Sequence, residues 1–346
     1  MRAIVLHGAN DFRLEDTAKT KCPEGGVLLK VSIVGLCGSD LRKLRSGAHH
    51  HPVILGHEIV GIVAESQCEK YKVGERVMPC IAAVCGECFF CKNGMECMCS
   101  DIKVQALGYD PRPDYQGGFA EYMPISRDLA ERGKLYRLPD DMTDEEAVMI
   151  EPYTNIFHSH DVLPLSECKN AIIIGAGPVG AMNVEVLQQL GIRCVVDDIN
   201  AERIEMLRQV VEPDASVCPL NEDLYEFTKK YTNGMGFDLA ILACSSPAAY
   251  TQSLELLRPN GHALFFSGLP DEQEMVALNV NLIHYKQLSI HGAYGANLAD
   301  FDKSFDMIRE KKLNAAAYAN PMAFEDFANA VVMMEQGKVM KPVFRP

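Results

Sequence analysis

No run of apolar residues in this sequence approaches the roughly twenty that carry a helix across a bilayer. Positive charge is also scarce. Lys and Arg total 33 against 47 Asp and Glu, a formal net charge of −14. Nucleic acid and anionic membrane both favour a basic surface, so neither is an expected partner. Internal repeats and low-complexity tracts are missing. The first residues, Met1-Arg-Ala-Ile-Val-Leu-His-Gly8, run directly into a strand-like segment. They lack the longer apolar stretch and cleavage site of a signal peptide. What remains is a chain 48% hydrophobic and 23% charged, able to bury a sizeable core and not suggestive of disorder. Its 346 residues suggest about two domains. A cytoplasmic protein is expected.

Four of the thirteen cysteines fall within fifteen residues, as Cys85-Gly-Glu-Cys88-Phe-Phe-Cys91 and then Cys99. So short a loop does not easily form two unstrained disulfides and a core of its own. It can wrap four thiolates around one tetrahedral zinc ion. Cys97 competes with Cys99 as fourth ligand. A closed four-thiolate site leaves no position for substrate, so the lobe 85–99 reads as scaffold, and the clustering favours a reducing compartment.

Residues 1 to about 80 are rich in short β-branched runs: Ala3–Leu6, Val27–Val31, Ile59–Val63 and Arg76–Met78. Two reactive patches sit at their Gly-rich bends, Gly35-Leu-Cys37-Gly-Ser39-Asp40 and Gly56-His57-Glu58. Thr143 and Glu146 form a capping-box pattern, which predicts a helix running to about Ile150 with Glu151-Pro152 at or just past a break. From about residue 169 strands alternate with helices, which predicts parallel pairing in a doubly wound sheet. The segment after about residue 290 predicts a strand, two helices and an extended tail that rejoins the first domain.

Gly175-Ala-Gly177-Pro178-Val179-Gly180 follows a predicted strand and opens a predicted helix, the context in which this spacing binds a dinucleotide. The glycines serve a tight turn, close approach of the pyrophosphate and close helix–strand packing. Asp198 ends the next strand, eighteen residues past Gly180. A carboxylate there binds the ribose diol and repels a 2′-phosphate, favouring NAD over NADP. Asp197 is the competing candidate. Arg203 stacks on the adenine or lies on a solvated helix face.

A catalytic zinc takes about three protein ligands and keeps one position open. Cys37 offers a thiolate and His57 an imidazole; the third ligand is Glu58 or Glu151. The order of these motifs, with Gly117-Gly-Phe-Ala-Glu-Tyr122 between them, resembles the zinc-containing medium-chain dehydrogenases over essentially the whole chain. Glu151-Pro152 stands where alcohol dehydrogenases have a cysteine ligand. It is similar to the sorbitol dehydrogenase branch, whose neighbours include galactitol-phosphate, threonine and other polyol dehydrogenases. The resemblance implies an α/β chain with a GroES-like, β-rich catalytic domain at 1–151 and 290–346. A Rossmann NAD-binding domain is implied at 152–289. It also implies two Zn²⁺ per chain, Cys37, His57 and Glu151 around the catalytic ion with Glu58 adjacent, and a homodimer or homotetramer.

The expected reaction removes a hydride from a secondary alcohol of a polyol, sugar alcohol or sugar-alcohol phosphate to NAD, giving the ketone. A hydroxy amino acid or simple alcohol is the alternative substrate. A non-catalytic dinucleotide sensor is a further alternative, against which the ligand set and Ser39 both argue. Ser39 is placed to accept the alcohol proton. Many family members end that relay at a histidine five residues after the ligand cysteine, but Arg42 stands there and cannot be the terminal base. Water, or one of His49, His50 and His51, is left to carry the proton away. Arg42 grips an anionic group of the substrate or points to solvent, and Tyr109 lines the substrate site by family analogy.

Overall fold

The computed structural model describes every residue except His49, and Asp271 by its backbone alone. The chain forms two compact units: Met1–Thr154 with Ala296–Pro346, and Asn155–Gly295.

The first unit contains β1 (Arg2–Gly8), β2 (Asp11–Asp16), β3 (Val27–Gly35), β4 (Glu58–Ser66), β5 (Arg76–Pro79), β6 (Ala82–Ala83), β7 (Lys103–Val104), β8 (Tyr122–Ile125) and β9 (Leu135–Arg137). The second carries β10 (Asn170–Ile174), β11 (Arg193–Asp197), β12 (Ala215–Val217), β13 (Phe237–Leu242), β14 (Leu257–Phe265) and β15 (Ser289–Gly292). The chain then returns to the first unit with β16 (Ala319–Met322) and β17 (Lys341–Phe344).

In the first unit a seven-stranded sheet runs β16-β17-β3-β4-β5-β9, with β8 also on β3. Val27, Leu29 and Val31 of β3 pack with Ile59 and Val63 of β4 and with Phe119, Phe327 and Phe344 in one apolar core. The tail is part of this sheet: Val343 and Phe344 pair with Gly35 and Val34. Gly35 in turn pairs with Glu58. Three strands therefore converge just before Cys37.

The second unit is a parallel sheet ordered β12-β11-β10-β13-β14-β15. In chain order this is 3-2-1-4-5-6, and ligands of such sheets bind beyond the carboxyl ends of the strands where the order reverses, here between β10 and β13. Its central strands read Ile172-Ile-Ile174 and Leu239-Ala-Ile-Leu242, continuous apolar runs buried on both faces.

The helix predicted from Thr143 is shorter than expected. It spans Asp144–Ala147, and a second helix, Ile150–Asp161, begins after two residues. Glu151 and Pro152 therefore lie in a first helical turn. Proline is tolerated there because its missing N–H would have had no helical partner. Among the described residues no helix is long and apolar enough to cross a membrane.

Candidate metal centres and dinucleotide turn

The ligand atoms of Cys85, Cys88, Cys91 and Cys99 all lie within 4.8 Å of one another. Cys85 Sγ is 3.9 Å from Cys91 Sγ and 3.5 Å from Cys99 Sγ. Sulfurs at a zinc–sulfur distance of about 2.3 Å on a tetrahedron are about 3.8 Å apart, so the spacing fits a shared ion. None of the cysteines forms a disulfide. Backbone N–H groups point at the cluster: those of Cys85 and Asp101 at Cys99 Sγ, and that of Cys88 at Cys85 Sγ. Backbone donors at Cys91 and Ser100 lower the Cys88 thiol to about 5, whereas burial and neighbouring thiols hold Cys91 up at about 12. Four thiolates this close require a cation to coexist. Cys97 lies outside the group; its backbone N–H donates to Asn297 Oδ1.

A second group joins Cys37, His57 and Glu58, again with ligand atoms within 4.8 Å of one another. Cys37 is the N-cap of helix Gly38–Ser46, which opens directly after β3. His57 immediately precedes β4. Ser39 Oγ is 3.5 Å from His57 Nε2. Two supporting residues went unassigned in the sequence. Asp40, fully buried, accepts the Cys37 N–H through Oδ2, and its Oδ1 lies 3.3 Å from His57 Nδ1. That placement turns Nε2 toward Cys37 and Ser39 and raises the basicity of the ring. Burial alone would push His57 down, but the charges of Asp40 and Cys37 outweigh it and hold the ring well above its ordinary value. The pocket thus favours positive charge, as a divalent cation requires. The only local sign of Asp40 in the sequence is its place three residues after Cys37, where it closes the helix cap.

The other supporting residue is Lys341 on β17. Its Nζ lies 2.5 Å from Glu58 Oε1, with side chains 4% and 1% exposed. Burial would lower this lysine; Glu58, Cys37 and Glu151 outweigh it and raise it. The second Glu58 oxygen, Oε2, is buried with no hydrogen-bond partner among the described residues. Glu151, 8% exposed, is not in the 4.8 Å group, though its charge reaches Lys341. If Asp40 supports His57 in this way, Asp40→Asn should weaken metal binding at the open cluster by about 10–100-fold with the fold retained. Competition with a coloured chelator would measure this.

In the second unit, Gly175 has φ +116°, a conformation that L side chains rarely adopt. Gly180 is packed so closely that a Cβ would lie 1.9 Å from the Gly175 carbonyl oxygen. At Gly177, by contrast, a Cβ would meet nothing within 4 Å. Pro178 and Val179 then open helix Pro178–Gln189, whose free N–H groups suit an anionic pyrophosphate. Asp197, not Asp198 as the sequence predicted, ends β11, with Asp198 the next residue beside this turn; Arg203 is half-buried on helix Ala201–Arg208.

The remaining predicted residues are more peripheral. Arg42 is exposed on helix Gly38–Ser46. Tyr109 is 45% exposed, and its ring carries Lys43 Nζ at 3.7 Å from the centroid. His51 Nδ1 lies 3.3 Å from the Leu6 carbonyl oxygen and His50 is exposed. His49 is outside the described residues.

Residues 23–137 match the alcohol dehydrogenase GroES-like domain family, and residues 178–310 match the zinc-binding dehydrogenase family. The chain is 31% identical over 302 residues to a sorbitol dehydrogenase of Bacillus subtilis (strain 168), covering 85% of this chain and 82% of that protein. It is 27% identical over 347 residues to an L-threonine 3-dehydrogenase of Idiomarina loihiensis, covering 98% and 97% respectively. An alcohol dehydrogenase from Thermus sp. ATN1 shares the fold across 100% of both chains, with a TM-score of 0.88 at 22% identity. The chain belongs to the zinc-dependent medium-chain alcohol and polyol dehydrogenases.

Proposed function

We propose that the chain oxidises a secondary alcohol of a polyol, sugar alcohol or sugar-alcohol phosphate to the ketone, with NAD as hydride acceptor. The observation that carries this reading is the cluster of Cys37, His57 and Glu58 with Ser39 beside it. A purely structural metal site has no use for an adjacent hydroxyl. When bound, zinc supplies Lewis-acid charge to the alcohol oxygen and NAD takes the hydride.

This chain's own residues do the rest. Cys37 and His57 would hold the catalytic ion, with either Glu58, held by Lys341, or Glu151 as the third ligand. Asp40 fixes the His57 ring, and Ser39 relays the alcohol proton. The four-cysteine lobe holds a second, structural zinc. The first unit is the catalytic domain and the second the cofactor domain. Asp197 at the end of β11 and Asp198 just after it favour NAD over NADP. A cytoplasmic homodimer or homotetramer completes the reading. The likeness to a sorbitol dehydrogenase supports a polyol substrate. The likeness to an L-threonine 3-dehydrogenase favours, as a second reading, a hydroxy amino acid.

The test is NADH formation, followed by absorbance, over a panel of sugar alcohols, their phosphates and L-threonine, with and without chelator. Chelator-sensitive turnover of a polyol is the expected result. Turnover of threonine alone would move the assignment to the second reading, and no turnover of any secondary alcohol would sink both.

A further inference from the structure

His262 and His291 belong to neither cluster described above. They lie on neighbouring parallel strands of the second unit, β14 and β15. The register sets His262 opposite Ser289, and strand alternation puts His291 on the same face, two residues further on. His262 Nδ1 stands 3.2 Å from His291 Nε2, with ring centroids 5.4 Å apart. Both residues are half-buried, so the pair is within reach of solvent.

Two imidazole nitrogens held at about 2.0–2.1 Å from one zinc ion stand about 2.9 Å apart at a right angle and about 3.3 Å apart on a tetrahedron. The separation of 3.2 Å falls inside that window. In the metal-free pair one ring N–H bridges the gap. The second torsion of a histidine side chain is broad, so both nitrogens can turn toward a shared ion while the strand ladder holds the backbone. A ligating imidazole must also be neutral. Burial lowers both rings from their ordinary value. At His262 the charges of His291 and of Arg258 on β14 lower it further, against the opposing charges of Glu167 ahead of β10 and Asp238 on β13.

We propose that His262 and His291 form a third metal site, separate from both cysteine-containing clusters, that takes Zn²⁺ or a similar late first-row divalent cation through two imidazoles. Among the described residues no third His, Cys, Asp or Glu ligand atom joins them within 4.8 Å, so water fills the remaining positions. Imidazole ligands select zinc, nickel or copper over magnesium and calcium, which prefer oxygen. The ring that donates the bridging N–H moves its proton to its other nitrogen through water, so two neutral rings release no net proton on binding. β15 is an edge of its sheet and pairs with β14 alone among the described strands. An ion bridging the two histidines therefore clamps the edge strand and stabilises the folded form by mass action.

The experiment takes full-length protein, loads it with zinc, dialyses away loosely held metal, and titrates it with Zn²⁺ by calorimetry. Wild type should bind one further equivalent per chain and melt at a higher temperature in its presence, whereas Mg²⁺ should do neither. An outer-shell partner alone is worth about 10–100-fold in metal affinity. His262→Gln and His291→Gln each remove a direct ligand, so each should weaken the added equivalent at least tenfold and abolish the rise in melting temperature. Turnover of the dialysed variants should match wild type. A second measurement needs no variant: Zn²⁺ should protect His262 and His291 of wild type from carbethoxylation by diethyl pyrocarbonate, read by peptide mass spectrometry. Absence of a further equivalent, binding unchanged in both variants, or modification of these two histidines unaffected by Zn²⁺ would each overturn the proposal.

Discussion

Lys341→Met is expected to destabilise the unit built from both ends of the chain by about 3–5 kcal/mol, the usual loss when one member of a buried ion pair is removed. Lys341 and Glu58 are 2.5 Å apart and almost wholly buried. Glu58 Oε2 has no hydrogen-bond partner among the described residues, so in metal-free protein removing the lysine leaves the carboxylate uncompensated. For a unit of this size the loss corresponds to a melting temperature lower by roughly 6–20 °C. The effect should be greatest in metal-free protein, because an ion at the neighbouring cluster offsets part of the carboxylate's charge. Calorimetry of apo and metal-loaded forms would measure both values. The double variant Glu58→Gln/Lys341→Met should recover most of the loss, since it removes both charges together. A single variant within about 1 kcal/mol of wild type would show that the pair contributes little net stability.

The second large effect concerns the cysteine lobe. Cys91→Ser should release one zinc equivalent per chain and destabilise the fold by several kcal/mol, because metal affinity at a structural site is folding free energy. The lobe is also tied to helix Leu298–Arg309. Asn297 Nδ2 donates to the Gly94 carbonyl at 3.1 Å, and Glu96 Oε2 accepts the Leu298 N–H at 2.8 Å. Losing the ion therefore loosens that helix start as well. Cys37→Ala should also release one equivalent, but with the fold retained and turnover lost. Zinc counted with a chromogenic chelator after denaturation, alongside a melting curve, separates the two sites. A single equivalent in wild type would overturn the two-zinc reading.

What could be read in the sequence follows from distance along the chain. Chelation by a loop is local, so the spacing from Cys85 to Cys99 already contains the cluster, and only Cys97 against Cys99 needed coordinates. The glycine-rich turn is local too. Lys341 is different. It lies 283 positions from Glu58, and only the pairing of β17 with β3 brings them together. Nothing in Val339–Pro346 marks that lysine as buried. The capping box at Thr143 located a helix start, but the helix end is set by how the following segment packs.

The convergence of β17, β3 and β4 bears on the order in which the protein is made. Cys37, His57 and Glu58 leave the ribosome early, while the lysine that neutralises Glu58 follows 283 residues after it. The parallel sheet of Asn155–Gly295 is continuous in sequence and can form while the chain is still being synthesised. The metal-site unit cannot close until β17 has been made. Until then the end of β3 and the Cys37 thiol await their partner strand, so zinc loading at this cluster is expected to follow the synthesis of β17.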